Sequence, residues 1–367
     1  MIKPKNAIKV GITLGDYNGI GPELALRTLE DPKMSQLMIP IIYGSGRILQ
    51  HYRRLVSGVE RFSFQTITDP QQATPGKIWL IECLQNPERE RVEPGKASEH
   101  AGRAAFQFLS IAVKHLKEGK IDTLCTLPID KATIQQKEFN FPGHTEYLTH
   151  QFSASDALMI MVEEELRLAT VTSHIPLKEV SSQISADKIY NKLKLFSYSL
   201  QVDFNIDKPK IAVLGLNPHA GDGGLLGKEE KEKVEVGIEK ARKEGLRILG
   251  PYAADGFFAH GLFRQFDGIL AMYHDQGLIP FKLLAEGKGV NYTAGLPVIR
   301  TSPDHGTAYD LAGKTIADLD SFRHALFLSL DVFQTRNENL TLRSGALKAK
   351  VPAELMREDE VAPLNKE

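Results

Sequence analysis

Cysteine is scarce in this chain: Cys83 and Cys125 are the only two among 367 residues. Two thiols beside apolar neighbours cannot build a disulfide framework or a thiolate metal site, and they fit a reducing, cytoplasmic setting. Charge imbalance is also missing. Forty-five basic against 46 acidic side chains leave a formal net charge of −1, so nothing draws the whole molecule to nucleic acid or an anionic membrane. Any anionic ligand must be held by local donors. No apolar run is long enough to span a bilayer, and the opening MIKPKNAIKVGITL has no signal-peptide pattern. Internal repeats and low-complexity segments are absent. Two nucleotide signatures fail as well. The glycines at 15, 19 and 21 run G-x-x-x-G-x-G rather than G-x-G-x-x-G, and no Lys-Ser/Thr follows them. A structural turn is at least as good a reading of that loop as a ligand contact.

What remains is an ordinary globular composition, 42% hydrophobic and 25% charged, in a chain long enough for two domains. Strand-like and helix-like segments alternate. AIKVGITL, IPIIYG, KIWLIEC and IDTLCTLPI read as strands. PELALRTLE (with Pro22 in its first turn), EHAGRAAFQFLSIAVKHLKEG, SADKIYNKLKLFSYSLQVDF and KEEKEKVEVGIEKARKEG read as helices. FPGHTEYLTHQF opens a further helix, with Thr145 as its expected N-cap. This βαβ rhythm predicts an α/β fold with a parallel sheet covered by helices on both faces. From about Asn337 the periodicity fades, and the tail is expected to be a peripheral, partly mobile extension.

Three histidines end three short apolar runs: LATVTSHIP at His174, IAVLGLNPHAGDGG at His219 and GILAMYHDQG at His274. Strands of a parallel sheet share a direction, and ligands bind at their carboxyl ends. Three imidazoles on that edge are candidates for one divalent metal with positions left open for substrate. For any single one the structural reading, a histidine closing a strand, competes strongly. Nitrogen donors suit zinc or cobalt better than magnesium, which prefers oxygen. Asp275, beside His274, and Asp255 are candidates to orient a ligand histidine; a helix cap or surface carboxylate is the competing reading for each. Lys282 and Arg300, in a stretch that interleaves charge with apolar residues, are candidate holders of phosphate or carboxylate.

The stretches GDYNGIGPE, FPGHTEYL, VTSHIPL, LNPHAGDGG, GPYAADGFF, MYHDQGLIPFK and GVNYTAGLPVIRTSPDHGTAYDLAG, in this order, resemble the 4-hydroxythreonine-4-phosphate dehydrogenase family of vitamin B6 biosynthesis. The resemblance covers most of the chain. It implies an isocitrate/isopropylmalate dehydrogenase-like fold of two α/β domains with a cleft between them. Residues 1–140 and 288–367 would form the cofactor-side domain, and 141–287 the metal-binding and dimerisation domain. It implies a homodimer with shared active sites, metal ligands at His174, His219 and His274, and substrate contacts at His144, Thr145, Lys282, Asn291 and Arg300. DHGTAYDLAGK further resembles the adenosine-side loop of the decarboxylating dehydrogenases, HGSAPDIAGK, which places NAD or NADP near His305, Gly306, Thr307 and Asp310.

The implied chemistry oxidises the hydroxyl of 4-phosphohydroxy-L-threonine with NAD and then releases carbon dioxide. A divalent metal (zinc, with magnesium or cobalt as alternatives) would assist both halves, and Lys282 would anchor phosphate or protonate the enolate. Two stretches depart from the usual family pattern, at Tyr17 and Asn18, and at Ala253, Gly256 and Phe257. They keep open a related dehydrogenase of D-threonate or D-erythronate 4-phosphate. A metal-dependent hydrolase and a non-catalytic binding protein are the rivals from other classes.

Overall fold

The computed structural model describes residues 4–345, except Lys137. The twelve strands are β1 (Lys9–Thr13), β2 (Ile39–Gly44), β3 (Gln65–Ile67), β4 (Trp79–Glu82), β5 (Thr123–Thr126), β6 (Leu158–Glu163), β7 (Leu166–Thr170), β8 (Lys210–Leu214), β9 (Arg247–Tyr252), β10 (Gly268–Ala271), β11 (Val290–Ala294) and β12 (Ile299–Pro303). They form one sheet in the order β3-β4-β2-β1-β5-β12-β11-β6-β7-β10-β8-β9. The α/β class is as expected. The short, polar β3 carries too little periodicity to be read from sequence.

The sheet is not parallel throughout. From β3 to β12 neighbouring strands are parallel, and so are β7, β10, β8 and β9. Between these blocks β11 pairs antiparallel with β12 and β6, and β6 pairs antiparallel with β7. This corrects the all-parallel expectation. The β6–β7 connection is a tight turn at Glu164, which takes φ +46°. Without the Asn-Gly or Asp-Gly that usually marks such a turn, its sequence hides the hairpin. The buried strand β12, with all five residues inside, lies in a stretch whose polar residues resemble a loop.

One apolar core packs on the β1–β5 side and includes Ile12, Tyr43, Phe108, Leu124 and Phe322. Two more cover the opposite faces of the β7–β9 block. Phe196, Leu200 and Ile238 lie in one; Phe257, Ile269 and Phe281 lie in the other.

The helix Asp320–Gly345 continues past Asn337. Within it Arg336 Nε donates to Asp203 Oδ1 at 2.8 Å, and Asn339 Nδ2 donates to the Val202 carbonyl at 2.9 Å. The expected peripheral tail is therefore helical as far as Gly345, and its start is tied to the body by these polar groups as far as Asn339. The rest of that tail lies outside the described residues.

Candidate functional site

The floor of the site is one face of β5, β12, β11 and β6. Asn291 is level with Ser302 on one side and Met161 on the other. Continuing the register brings Thr126 beside Ser302, and a second row aligns Arg300, Thr293 and Met159. Side chains of one face meet across a sheet in such rows. Arg300 is 2% exposed. Its NH2 and Nε donate to Thr126 Oγ1 at 2.6 and 3.1 Å, and its NH1 donates to Thr293 Oγ1 at 3.2 Å. Hydroxyls are weak partners for a desolvated cation, and burial pushes the guanidinium down to about 10.

The wall comes from the carboxyl ends of β7 and β10. Val171 N and Thr172 N donate to the Ala271 and Met272 carbonyls, and Thr172 Oγ1 adds a bond to Met272 O at 2.8 Å. This stitching continues the strand pairing past the strand ends. It sets the His174 and His274 rings 5.8 Å apart, centroid to centroid. Asp275 Oδ1 lies 2.7 Å from His274 Nδ1, which leaves Nε2 as the nitrogen not engaged by Asp275. His174 has an exposed edge, yet the protein around it, and then the Lys131 charge, hold its imidazole below its usual pKa. A neutral ring keeps the lone pair a metal needs.

Together these elements enclose a cleft of about 290 Å³. His144, Thr145, His174, His274, Lys282, Asn291, Arg300, His305 and Gly306 all line it. Shielded polar atoms without partners lie here: His144 Nε2, Asn291 Oδ1 and His305 Nε2. Unmet donors and acceptors at one place mark a ligand site. Lys282 Nζ lies 3.4 Å from Asp304 Oδ1, and burial raises the Asp304 pKa. The helix His144–Gln151 starts on Gly143, not Thr145. The expected cap is thus the second helical residue, inside the first turn, where Thr145 lines the cleft instead.

His219 lies elsewhere. β8 is next to β10, so all three histidine strands are adjacent and parallel, but the loop after β8 does not lead into the cleft. Five residues from His219 to Gly223 hold left-handed φ values of +42° to +81°, and His219 is exposed. Backbone of this kind survives only where its surroundings enforce it. Buried Glu230 does so, accepting Leu216 N, Asn217 N and Asn217 Nδ2 at 2.7–2.9 Å. Gln276 ties the loop to β10, donating to Gly215 O at 2.6 Å and accepting Met272 N at 2.7 Å. Among the described residues of one chain, no three His, Cys, Asp or Glu groups form a metal-binding set. The convergence of three imidazoles therefore does not occur within a single chain.

Glu230→Ala should lower stability by about 2–4 kcal/mol, since the part-buried Leu216 and Asn217 N–H groups lose their charged acceptor. Thermal melting and denaturant titration measure this, and an unchanged midpoint excludes the bracing role.

The chain matches the family model described as "Pyridoxal phosphate biosynthetic protein PdxA" over residues 36–329. It belongs to the PdxA family. A Bacteroides thetaiotaomicron protein named 4-hydroxythreonine-4-phosphate dehydrogenase is 46% identical, with 94% of each chain covered. A relative from Oceanobacillus iheyensis with the provisional name D-threonate 4-phosphate dehydrogenase is 37% identical, over 89% of this chain and 98% of its own. The crystal structure of 4-hydroxythreonine-4-phosphate dehydrogenase from Klebsiella pneumoniae superposes with TM-score 0.78 at 32% identity, covering 89% of this chain and 98% of that one.

Other residues singled out in this PdxA chain lie outside the cleft. Asp255 is exposed in the helix Ala254–Ala259, which packs near the His219 loop. Thr307 gives its carbonyl to Ile20 N at 2.9 Å, and Asp310 is exposed. Tyr17 and Asn18 do not line the cleft. Tyr17 donates to Glu90 at 2.7 Å, while Asn18 braces Glu93 N and the Lys96 carbonyl. The N-terminal glycine loop is braced within the chain, and neither of these two departures from the family pattern lines the cleft.

Sequence reasoning missed Thr126, Lys131 and Glu146, which also line the cleft. Thr126 sits inside an apolar strand, and only the pairing with β12 reveals its partner.

Burial holds the imidazoles of His144 and His305 below their usual pKa. A depressed histidine is neutral in the folded state and protonates on unfolding. Stability should therefore be full above about pH 6.5 and fall as pH drops below it toward the depressed folded values. Melting scans from pH 8 to 5 should show this decline, and His144→Gln should flatten it. A flat wild-type profile contradicts the assignment.

Proposed function

We propose that this chain oxidises and decarboxylates 4-phosphohydroxy-L-threonine to 3-amino-2-oxopropyl phosphate, with NAD or NADP as hydride acceptor and with a divalent cation. The observation that carries the proposal is the Arg300 guanidinium, buried beside unpartnered His144 and Asn291 atoms and facing two adjacent histidines. Buried cation, shielded acceptors and nitrogen donors suit a small acid whose hydroxyl must be activated.

Each side chain has a task that its surroundings support. Arg300 holds the carboxylate. Lys282, exposed at the mouth, holds the phosphate, with Asp304 fixing its direction. Met159, Met161 and Leu278 line the same cleft and exclude water from the reacting carbons, strengthening every charge interaction there. His174 and His274 present nitrogens to the cation, and Asp275 fixes the His274 tautomer. A bound cation would ease loss of the hydroxyl proton and then polarise the ketone during decarboxylation. The nitrogen donors favour zinc or cobalt over magnesium. On the cofactor side, His305 and Gly306 border the cleft. A Cβ built on Gly306 meets nothing within 4 Å, and its φ is ordinary. Neither crowding from this chain nor backbone strain calls for a glycine there, which fits a cofactor passing close by.

We propose a cytoplasmic homodimer in which His219 of the partner subunit completes the three-histidine set, with Asp255 on the same partner face. Exposed Leu225 and Leu226 follow the His219 loop (80% and 44% exposed), and a second depression of about 790 Å³ opens beside His174 and Glu146. Residues 141–287 would carry the metal and dimer contacts, with 1–140 and 288–367 on the cofactor side.

Mixing tests the shared site. His219→Ala and His274→Ala homodimers should each be inactive. Co-refolded at equal amounts, they should regain about a quarter of wild-type activity, because half the dimers are mixed and each holds one intact site. No recovery excludes sharing. The D-threonate 4-phosphate reading has one observation in its favour, the Oceanobacillus relative. NADH formation with each substrate, with and without chelator, decides between them.

A further inference from the structure

We propose that Glu146 is the specificity residue that reads the 2-ammonium group of the substrate, selecting an amino acid phosphate over the matching hydroxy acid. This rests on the 4-phosphohydroxy-threonine reading above.

The substrate carries, in order, a carboxylate, an ammonium, a hydroxyl and a phosphate. With the carboxylate on Arg300 and the hydroxyl facing His174 and His274, the amino carbon lies between those two anchors. Glu146 is half-buried and lines the cleft with all three residues. Its charge is felt at both anchors, at His174 and at Arg300. Yet the Arg300 hydrogen bonds within the chain go to Thr126 and Thr293 and none to Glu146, and no hydrogen bond or ion pair engages the Glu146 carboxylate among the described residues.

An uncommitted acid in a cleft built to bind carboxylate and phosphate weakens the binding of any purely anionic molecule. It becomes favourable only when the ligand brings a cation to that spot. Repelling the wrong substrate is as effective a route to selectivity as attracting the right one. The competing role is structural. Glu146 lies in the first turn of the helix His144–Gln151, where negative charge stabilises the positive helix end. That role affects every substrate alike.

The test is kcat/KM for 4-phosphohydroxy-L-threonine and for D-threonate 4-phosphate in wild type, Glu146→Gln and Glu146→Asp, with melting scans to confirm folding. Glu146→Gln should lower kcat/KM for the amino substrate roughly 10- to 100-fold, the effect of losing a charge-assisted bond. The hydroxy acid should be unaffected or improved. Glu146→Asp should keep the wild-type direction of preference. Equal change with both substrates, or none, overturns the proposal and leaves Glu146 as a helix-end charge. A wild type that turns over only the hydroxy acid sinks the parent reading and this inference with it. A ratio of amino to hydroxy substrate kcat/KM that is unchanged in Glu146→Gln sinks this inference alone.

Discussion

His274→Ala should abolish turnover and strip the bound cation, while Asp275→Asn should weaken metal affinity roughly 10- to 100-fold. The contrast follows from position. His274 lines the cleft beside His174, whereas Asp275 acts on its Nδ1 at 2.7 Å. Removing the ring removes a donor outright; changing the carboxylate to an amide loosens the tautomer and orientation of a donor that is still present. Nitrogen ligation of zinc leaves little to compensate for a lost imidazole. Metal analysis of the purified variants, together with NADH formation over a range of added zinc or cobalt, measures both effects. Asp275→Asn should recover at high metal and His274→Ala should not. Wild-type metal content and rate in His274→Ala would falsify the ligand assignment.

Arg300→Ala should raise the Michaelis constant for the phosphorylated acid roughly a hundredfold, with the constant for NAD nearly unchanged. Loss of a charge-assisted bond costs about 1.5–3 kcal/mol, and each 1.4 kcal/mol is a factor of ten. The same variant should be no less stable than wild type. Its guanidinium is buried without a carboxylate, so the free enzyme carries a desolvation cost that only substrate offsets. Stability and affinity should therefore move in different directions, as expected when a charge is kept for function. Because burial depresses this cation to about 10, substrate affinity should also fall as pH rises through that value. A large loss of melting temperature in Arg300→Ala, or equal effects on both Michaelis constants, refutes the role.

Much of the cleft was legible in the chain because its residues sit at strand ends or among densely polar motifs. His174 and His274 could be picked out individually by the apolar runs before them, Lys282 and Arg300 by the stretch that interleaves charge with apolar residues, and resemblance supplied His144 and Thr145 and the role of Asn291. Other positions lie outside the cleft. Thr307 and Asp310 sit in the same motif as His305 but do not line this cleft, and the Thr307 carbonyl accepts from Ile20 N. Asp16, Tyr17 and Asn18 resemble a ligand loop because the same small polar residues serve tight internal bracing. Asp16 takes bonds from Asn18 N and from the Tyr309 hydroxyl.

The sequence alone determined what is local: alternating strands and helices, a balanced surface, and imidazoles stationed where apolar runs stop. Periodicity and turn chemistry act over a few residues and are written in order along the chain. Tertiary structure decided what depends on pairing. It reversed β11 and β6 between two parallel blocks, set Arg300 level with Thr293, and brought His174 against His274 while directing His219 outward. Strand register and loop direction depend on contacts that include partners as distant along the chain as Thr126 and Arg300, 174 positions apart, and no short window of sequence encodes those.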